Sequence, residues 1–290
     1  MPVKTSFTTE QHIRSIALPH HGKTYTVIPH GHAIDETKKE LTAAGFGINA
    51  ELYKSTLDGQ VAQGIYHLNY GDDPDMGLMF AWSNSYNKSM RFKCAVGGHV
   101  FVCMNGIVRG DMASYVRKHT GSALSEVTVS IQEQIQKAKK YYNVLVRDKE
   151  LLKNIILTPK EKGTILGRLF AEQEILTLTQ VGIVKREMDK PSHNYNANPD
   201  SAWAMYNHVT FALKESHPQT YLQDHETLHQ FFVNEYGQLQ LVTQPTLQFP
   251  EDEREFTEAE MIPACGPNLE EQPEDFKIEP VHHGNGVLFM

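Results

Sequence analysis

Apolar and polar residues follow two different periods along this chain, and the change of period divides it. Between residues 48 and 104 the apolar runs are short and bounded by turn residues, which is strand patterning. Ile48–Lys54 and Val61–Tyr70 flank Leu57-Asp58-Gly59-Gln60, and Asp-Gly is a strong hairpin signal because glycine accepts a left-handed turn position. Gly71-Asp72-Asp73-Pro74-Asp75 reads as the next turn. Leu78–Ser83, Met90–Val96 and His99–Met104 supply three more strands, with Gly97-Gly98 as a tight reversal between the last two and Asn105-Gly106 as a turn at the sheet edge. Strands in succession with no helix between them predict an antiparallel meander. Upstream, the first ten residues read as a loose arm. Lys23–Ile28 reads as a short strand broken by Pro29, and Ala33–Ala44 as a helix ended by Gly45.

From about residue 122 the period is helical. Ser122 is placed to cap a helix running to about Asn154, with Leu124, Val127, Ile131, Ile135, Ala138, Tyr142 and Val146 as its apolar stripe. Thr158-Pro159-Lys160-Glu161 opens a second helix: threonine caps, proline takes the first position and glutamate closes the capping box. Asp189–Pro199 is a polar loop. Asp200 or Ser201 caps a third helix through Lys214, a fourth covers Tyr221–Glu235, and a short strand, Leu239–Thr243, follows. The fold expected is α+β: an N-terminal antiparallel sheet meander with a short helix over residues 1–121, and a mostly helical C-terminal half of the same domain over 122–245. Residues 246–290 form an acidic, loosely ordered tail.

The 290 residues, 40% of them apolar, suffice for a substantial core. No run approaches the roughly 18 apolar residues of a membrane span, and the polar start MPVKTSFTTEQHIRS lacks the apolar stretch of a secretory signal. Three cysteines, Cys94, Cys103 and Cys265, do not make the paired framework of a secreted domain. The expected compartment is therefore the cytoplasm. The net charge of −8 is unevenly placed: residues 251–280 hold eleven acids against Arg254 and Lys277, so the rest of the chain is close to neutral. Such an asymmetry marks an interaction tail.

Four groups of residues carry candidate chemistry. In Trp82-Ser83-Asn84-Ser85-Tyr86-Asn87-Lys88-Ser89 with Arg91 and Lys93, the rings of Trp82 and Tyr86 offer faces on which bases stack, and Asn84, Lys88, Arg91 and Lys93 offer donors to phosphate. A hairpin turn with solvated polar tips explains the same residues. Arg117, Lys118 and His119 stand just before the long helix, where free N–H groups favour phosphate, or are a solvated face beside a helix cap. His225-Glu226-Thr227-Leu228-His229 fits H-E-x-x-H, the spacing that puts two imidazoles and a candidate base on one helical face for zinc. Its third ligand would have to come from carboxylates such as Glu251 or Glu255. An amphipathic helix packed through Leu222, Leu228, Phe231 and Phe232 is the alternative. His20, His21, His30 and His32 lie within thirteen residues, with no carboxylate or thiol spacing to complete a metal site. Phosphate-loop, nucleophile-elbow and dinucleotide fingerprints are missing from the sequence.

Trp82-Ser-Asn-Ser-Tyr-Asn-Lys-Ser, Gly98-His-Val-Phe-Val-Cys-Met-Asn-Gly, Lys118-His-Thr-Gly and Ser201-Ala-Trp-Ala-Met-Tyr-Asn-His-Val-Thr together resemble the phage/plasmid-like family catalogued as domain of unknown function 932, over roughly residues 20–235. The family's Asn-Ser-His-Asp-Gly-Ser stands here as Asn84-Ser85-Tyr86-Asn87-Lys88-Ser89, without its histidine, aspartate and glycine. The resemblance implies a phage or mobile-element origin, hence a host-cell cytoplasm, and no settled activity.

The function expected is non-catalytic handling of nucleic acid, as a single-strand-binding or annealing protein, with no cofactor. Trp82, Asn84, Tyr86, Lys88, Arg91, Lys93, Arg117, Lys118 and His119 are its contacts. Residues 250–280 recruit host or phage replication proteins, and homo-oligomers are compatible with the pattern. Two alternatives stand beside it: a zinc-dependent hydrolase built on His225, Glu226 and His229, and a phage structural or anti-defence protein acting by protein contacts.

Overall fold

Asp58-Gly59 closes the hairpin that the sequence predicts, joining β2 (Gly47–Thr56) to β3 (Val61–Asn69). In this computed structural model the described residues are 5–20, 26–101, 105–108, 114–117 and 123–236. All lie in the first of two units, Met1–Pro245 and Thr246–Met290. The meander continues through β4 (Met76–Ser85) and β5 (Phe92–Val100), every pairing antiparallel.

The edges depart from expectation. The arm at the start is β1 (Thr5–Thr8), paired to the end of β2, followed by α1 (Glu10–Ser15) with Thr9 as its cap. Of the strand expected over Lys23–Ile28, residues 26–28 lie in no strand and the rest fall outside the described residues. Gly97-Gly98 is not a reversal: β5 runs straight through it. A Cβ on Gly97 would overlap the Ile107 carbonyl oxygen, so the glycine serves close backbone approach rather than a turn. The neighbour responsible is β6 (Asn105–Val108), which contains the Asn105-Gly106 pair expected to turn. β7 (Ser114–Arg117) pairs with the other half of the same β5 edge.

Helix α2 (His30–Ala43) and the 31-residue α3 (Ala123–Lys153) cover one sheet face. Leu78, Phe80 and Trp82 of β4 and Cys94 and Val96 of β5 share a core there with Val127, Ile131, Ile135, Ala138 and Leu145 of α3. Each large side chain so buried contributes about 1.5–3 kcal/mol. Gly71 (φ +101) leaves the room its turn needs for the Tyr142 ring, whose Oη donates to the Met76 carbonyl at 2.8 Å.

Thr158 forms the expected capping box of α4 (Pro159–Ala171). A second box, Thr177 with Gln180, starts α5 (Leu178–Asp189), a helix the periodicity did not reveal. Ser201 caps α6 (Ala202–Leu213), and α7 (Tyr221–Tyr236) follows. Tyr221 and Leu222 of α7 pack on Ile65, Met79, Ala81 and Ala95, the opposite face of the sheet. Burial on both faces leaves almost every residue of β3 and β4 inside, polar ones such as Gln63, His67, Ser83 and Asn84 included. Leu239–Thr243 lies outside the described residues. No described helix is long and apolar enough to cross a membrane.

Candidate functional site

The β4–β5 hairpin carries Trp82, Asn84, Tyr86, Lys88, Arg91 and Lys93, but strand alternation and burial divide them. Trp82 is fully buried, its Nε1 donating to Tyr66 Oη at 3.1 Å. Asn84, also fully buried, donates through Nδ2 to the Ile28 carbonyl at 2.7 Å and approaches His30 Nδ1 at 3.0 Å. The Tyr86 ring stacks on His30 with centroids 3.8 Å apart, and its Oη accepts the His30 backbone N–H at 2.8 Å. The base-stacking faces expected of Trp82 and Tyr86 are therefore covered, because β4 has no solvent side. Lys88, in a left-handed turn conformation (φ 64), and Arg91 are exposed, while Lys93 is half-buried. Arg117 ends β7 with its backbone opposite Phe92. Lys118 and His119 lie outside the described residues.

His30 is thus a core residue: Asn84 on Nδ1 and the Gly59 carbonyl 3.3 Å from Nε2 suit the neutral Nε2–H tautomer. His32 meets Thr128 Oγ1 at 3.4 Å, His20 is exposed, and His21 is outside the described residues. Among the described residues no group of three histidine, cysteine or acidic side chains gathers to hold a metal ion.

The H-E-x-x-H segment lies on α7 with its members turned to separate partners. His225 is buried against the Tyr221 ring at 4.3 Å. Burial pulls its imidazole down to about 3, against the influence of the Gly106 backbone. His229 sets Nε2 3.2 Å from Asp148 of α3 and Nδ1 3.4 Å from Tyr206 of α6, so it ties three helices together. Glu226 is half-buried, in the field of Lys93. Glu251 and Glu255 lie outside the described residues.

Two polar constellations were not visible in the motifs. In the first, Lys149, whose side chain is 1% exposed, meets both carboxylate oxygens of Asp73, at 2.8 and 2.6 Å, and Asp75 at 3.2 Å. Lys153 pairs with Asp75, and Asn196 donates to its other oxygen at 3.2 Å. Burial opposes the charged form of Lys149, but the carboxylates outweigh it and raise its affinity for the proton. Asp75 is shifted the other way: burial would raise it, but hydrogen bonds from Lys153, Asn196 and Lys149 hold it below the ordinary carboxylate value. The signal lay in Lys149 and Lys153, one turn apart, and in an acidic turn read only as a turn.

The second is a row across four strands on the face toward α7, set by register: Lys54 opposite Gln63, Gln63 opposite Ser83, Ser83 opposite Lys93. Lys54 Nζ donates to the Lys214 and Ser216 carbonyls at 2.9 and 2.7 Å. Gln63 and Ser83 are buried with side-chain polar atoms that have no hydrogen-bond partner. Burial lowers both lysines, and it raises Asp224 to about 6 against hydrogen bonds from Ser216 and Thr220 and the charge of Lys93.

Sheet, helices and these networks define an α+β protein with several polar side chains buried in its interior and with Lys88 and Arg91 exposed in the β4–β5 hairpin. Residues 17–231 match the family described as a domain of unknown function (DUF932), and the chain belongs to that family. No curated protein and no solved structure matches it.

Proposed function

We propose that the chain binds single-stranded nucleic acid without catalysis, through phosphate contacts at the β4–β5 corner. The observation that carries this reading is the exposure of Lys88 and Arg91 together in the β4–β5 hairpin, beside which the backbone of β7 ends at Arg117 opposite Phe92; Lys118 and His119 follow in the sequence. With Trp82 and Tyr86 buried, the contacts are to backbone rather than bases, so binding is tolerant of sequence and sensitive to salt. Lys137, Lys140 and Arg147 are further exposed cations on α3, a helix about 46 Å long. The near-neutral total outside residues 251–280 favours single strands over duplex, which demands more phosphate contacts. Acidic residues 251–280 offer a competitor for the same cations or a handle for replication proteins. The resemblance to phage/plasmid-like chains supports a mobile-element setting and a host cytoplasm.

The test is fluorescence anisotropy of a labelled 30-nucleotide single strand against the full chain at low salt. The doubly substituted Lys88→Glu, Arg91→Glu protein is expected to lose at least tenfold in affinity and to show a shallower salt slope. Absence of binding by the unsubstituted chain, or equal binding by both, overturns the reading.

A further inference from the structure

The polar loop between α5 and α6 borders an open cavity of about 530 Å3 lined by His193, Asn194, Tyr195, Ala197, Ala204 and His208, among others. Its walls are aromatic on several sides. Tyr195 and His208 meet edge to face with centroids 5.6 Å apart, and His193 lies 6.3 Å from Tyr195 and 5.9 Å from Phe211. His208 is 4% exposed, and its Nδ1 has no hydrogen-bond partner. A buried ring nitrogen without a partner carries a desolvation cost that a hydrogen-bonding ligand relieves. The loop is held in place before any ligand arrives. Ser192 donates through N and Oγ to Glu187 at 3.0 and 2.6 Å. The Asn196 backbone donates to Asn194 Oδ1 at 3.0 Å, and Asn196 reaches across to Asp75.

We propose that this cavity binds a planar nitrogen heterocycle of the nucleobase class. The volume suits a small ligand. Ring walls select a flat partner. No carboxylate, lysine or arginine lines the cavity, which selects an uncharged one. His208 and Tyr195 bring buried polar atoms to the wall, and the exposed Ser192 and Asn194 supply further polar contacts. Its neighbour Asp75 precedes β4, whereas Lys88 and Arg91 follow it, so the cavity and the cationic corner lie at opposite ends of a strand about 30 Å long. The inference therefore stands or falls apart from the corner. The same chemistry is offered by a free nucleoside or by an unstacked base within a strand.

The experiment titrates the full chain by calorimetry with adenosine, guanosine, cytidine and uridine, with sodium phosphate as control, and repeats the oligonucleotide anisotropy. At least one nucleoside is expected to saturate, and phosphate is not. Ala204→Leu, which fills the cavity from α6, is expected to weaken that binding more than tenfold. Should Ala204→Leu fail to fold, Ala197→Leu in the half-buried loop carries the same expectation. Lys88→Glu with Arg91→Glu leaves nucleoside binding unchanged. If nucleosides do not bind but Ala197→Leu weakens the oligonucleotide tenfold, the occupant is a base within a strand. If neither nucleosides nor oligonucleotide respond to Ala197→Leu or Ala204→Leu, the proposal is overturned.

Discussion

Asn84 Nδ2 stands 3.0 Å from Nδ1 of His30, and this contact fixes what the hairpin below it can do. With Gly59 on Nε2 and Tyr86 stacked over the ring, the imidazole locks α2 to the β4–β5 hairpin. Tyr86→Phe removes the acceptor of the buried His30 N–H and is expected to cost about 1–3 kcal/mol, read as a lower urea midpoint. Oligonucleotide affinity per folded molecule should stay the same. Unchanged stability with lost affinity would return Tyr86 to the surface.

Lys149 lies between two carboxylates out of contact with water, so its removal leaves Asp73 and Asp75 short of a counter-charge. Lys149→Met is expected to destabilise by about 3–5 kcal/mol. Adding Asp73→Asn to it should recover part of that loss, since the surplus charge then disappears. A double-mutant cycle by chemical denaturation gives the coupling, and strictly additive losses would contradict the network.

Buried histidines set the acid limit of the fold. Burial lowers His67 and His225 to about 3 and His99 and His208 to about 4, from an ordinary 6.5. Between those values the unfolded chain binds the protons and the folded chain does not, so stability falls as pH drops from about 6.5 toward 4. Each such group contributes a slope of up to about 1.4 kcal/mol per pH unit. Urea midpoints from pH 7 to pH 4 should decline steeply, with an uptake of several protons on unfolding. A flat profile across that window would mean these imidazoles are open to water.

Gln63 is 1% exposed, and neither end of its amide has a partner. Replacing an unsatisfied amide by an apolar side chain of similar length removes a desolvation cost, so Gln63→Met is expected to stabilise by about 1–2 kcal/mol. A lower melting temperature instead would place a bound molecule between Lys54 and Lys93.

The meander, the long helix and the Thr158 capping box were legible because each has a local cause: a turn residue, a period or a cap. The glycine pair in β5 was misread because Gly97 answers to a strand that arrives later in the chain, a non-local reason with no local signature. Helix α5 escaped although Thr177-x-x-Gln180 is a capping box; two of its three buried residues, Gln180 and Glu187, are polar. The site fared similarly. Lys88 and Arg91 are exposed as a turn predicts, whereas Trp82, Asn84 and Tyr86 looked like turn chemistry and are core. Only the covering of that sheet face, by His30 of α2 and by α3, decides that difference. The H-E-x-x-H spacing was real as helix geometry, but its partners, Asp148 and Tyr206, come from other helices.

The outer margin of β5 is shared by two short strands, β7 along Phe92–Ala95 and β6 along Gly97–Val100. A single strand of nine residues left bare there would invite a stray extended chain to join the ladder. Divided as it is, that flank presents, among the described residues, two four-residue stretches, each a short template for such growth.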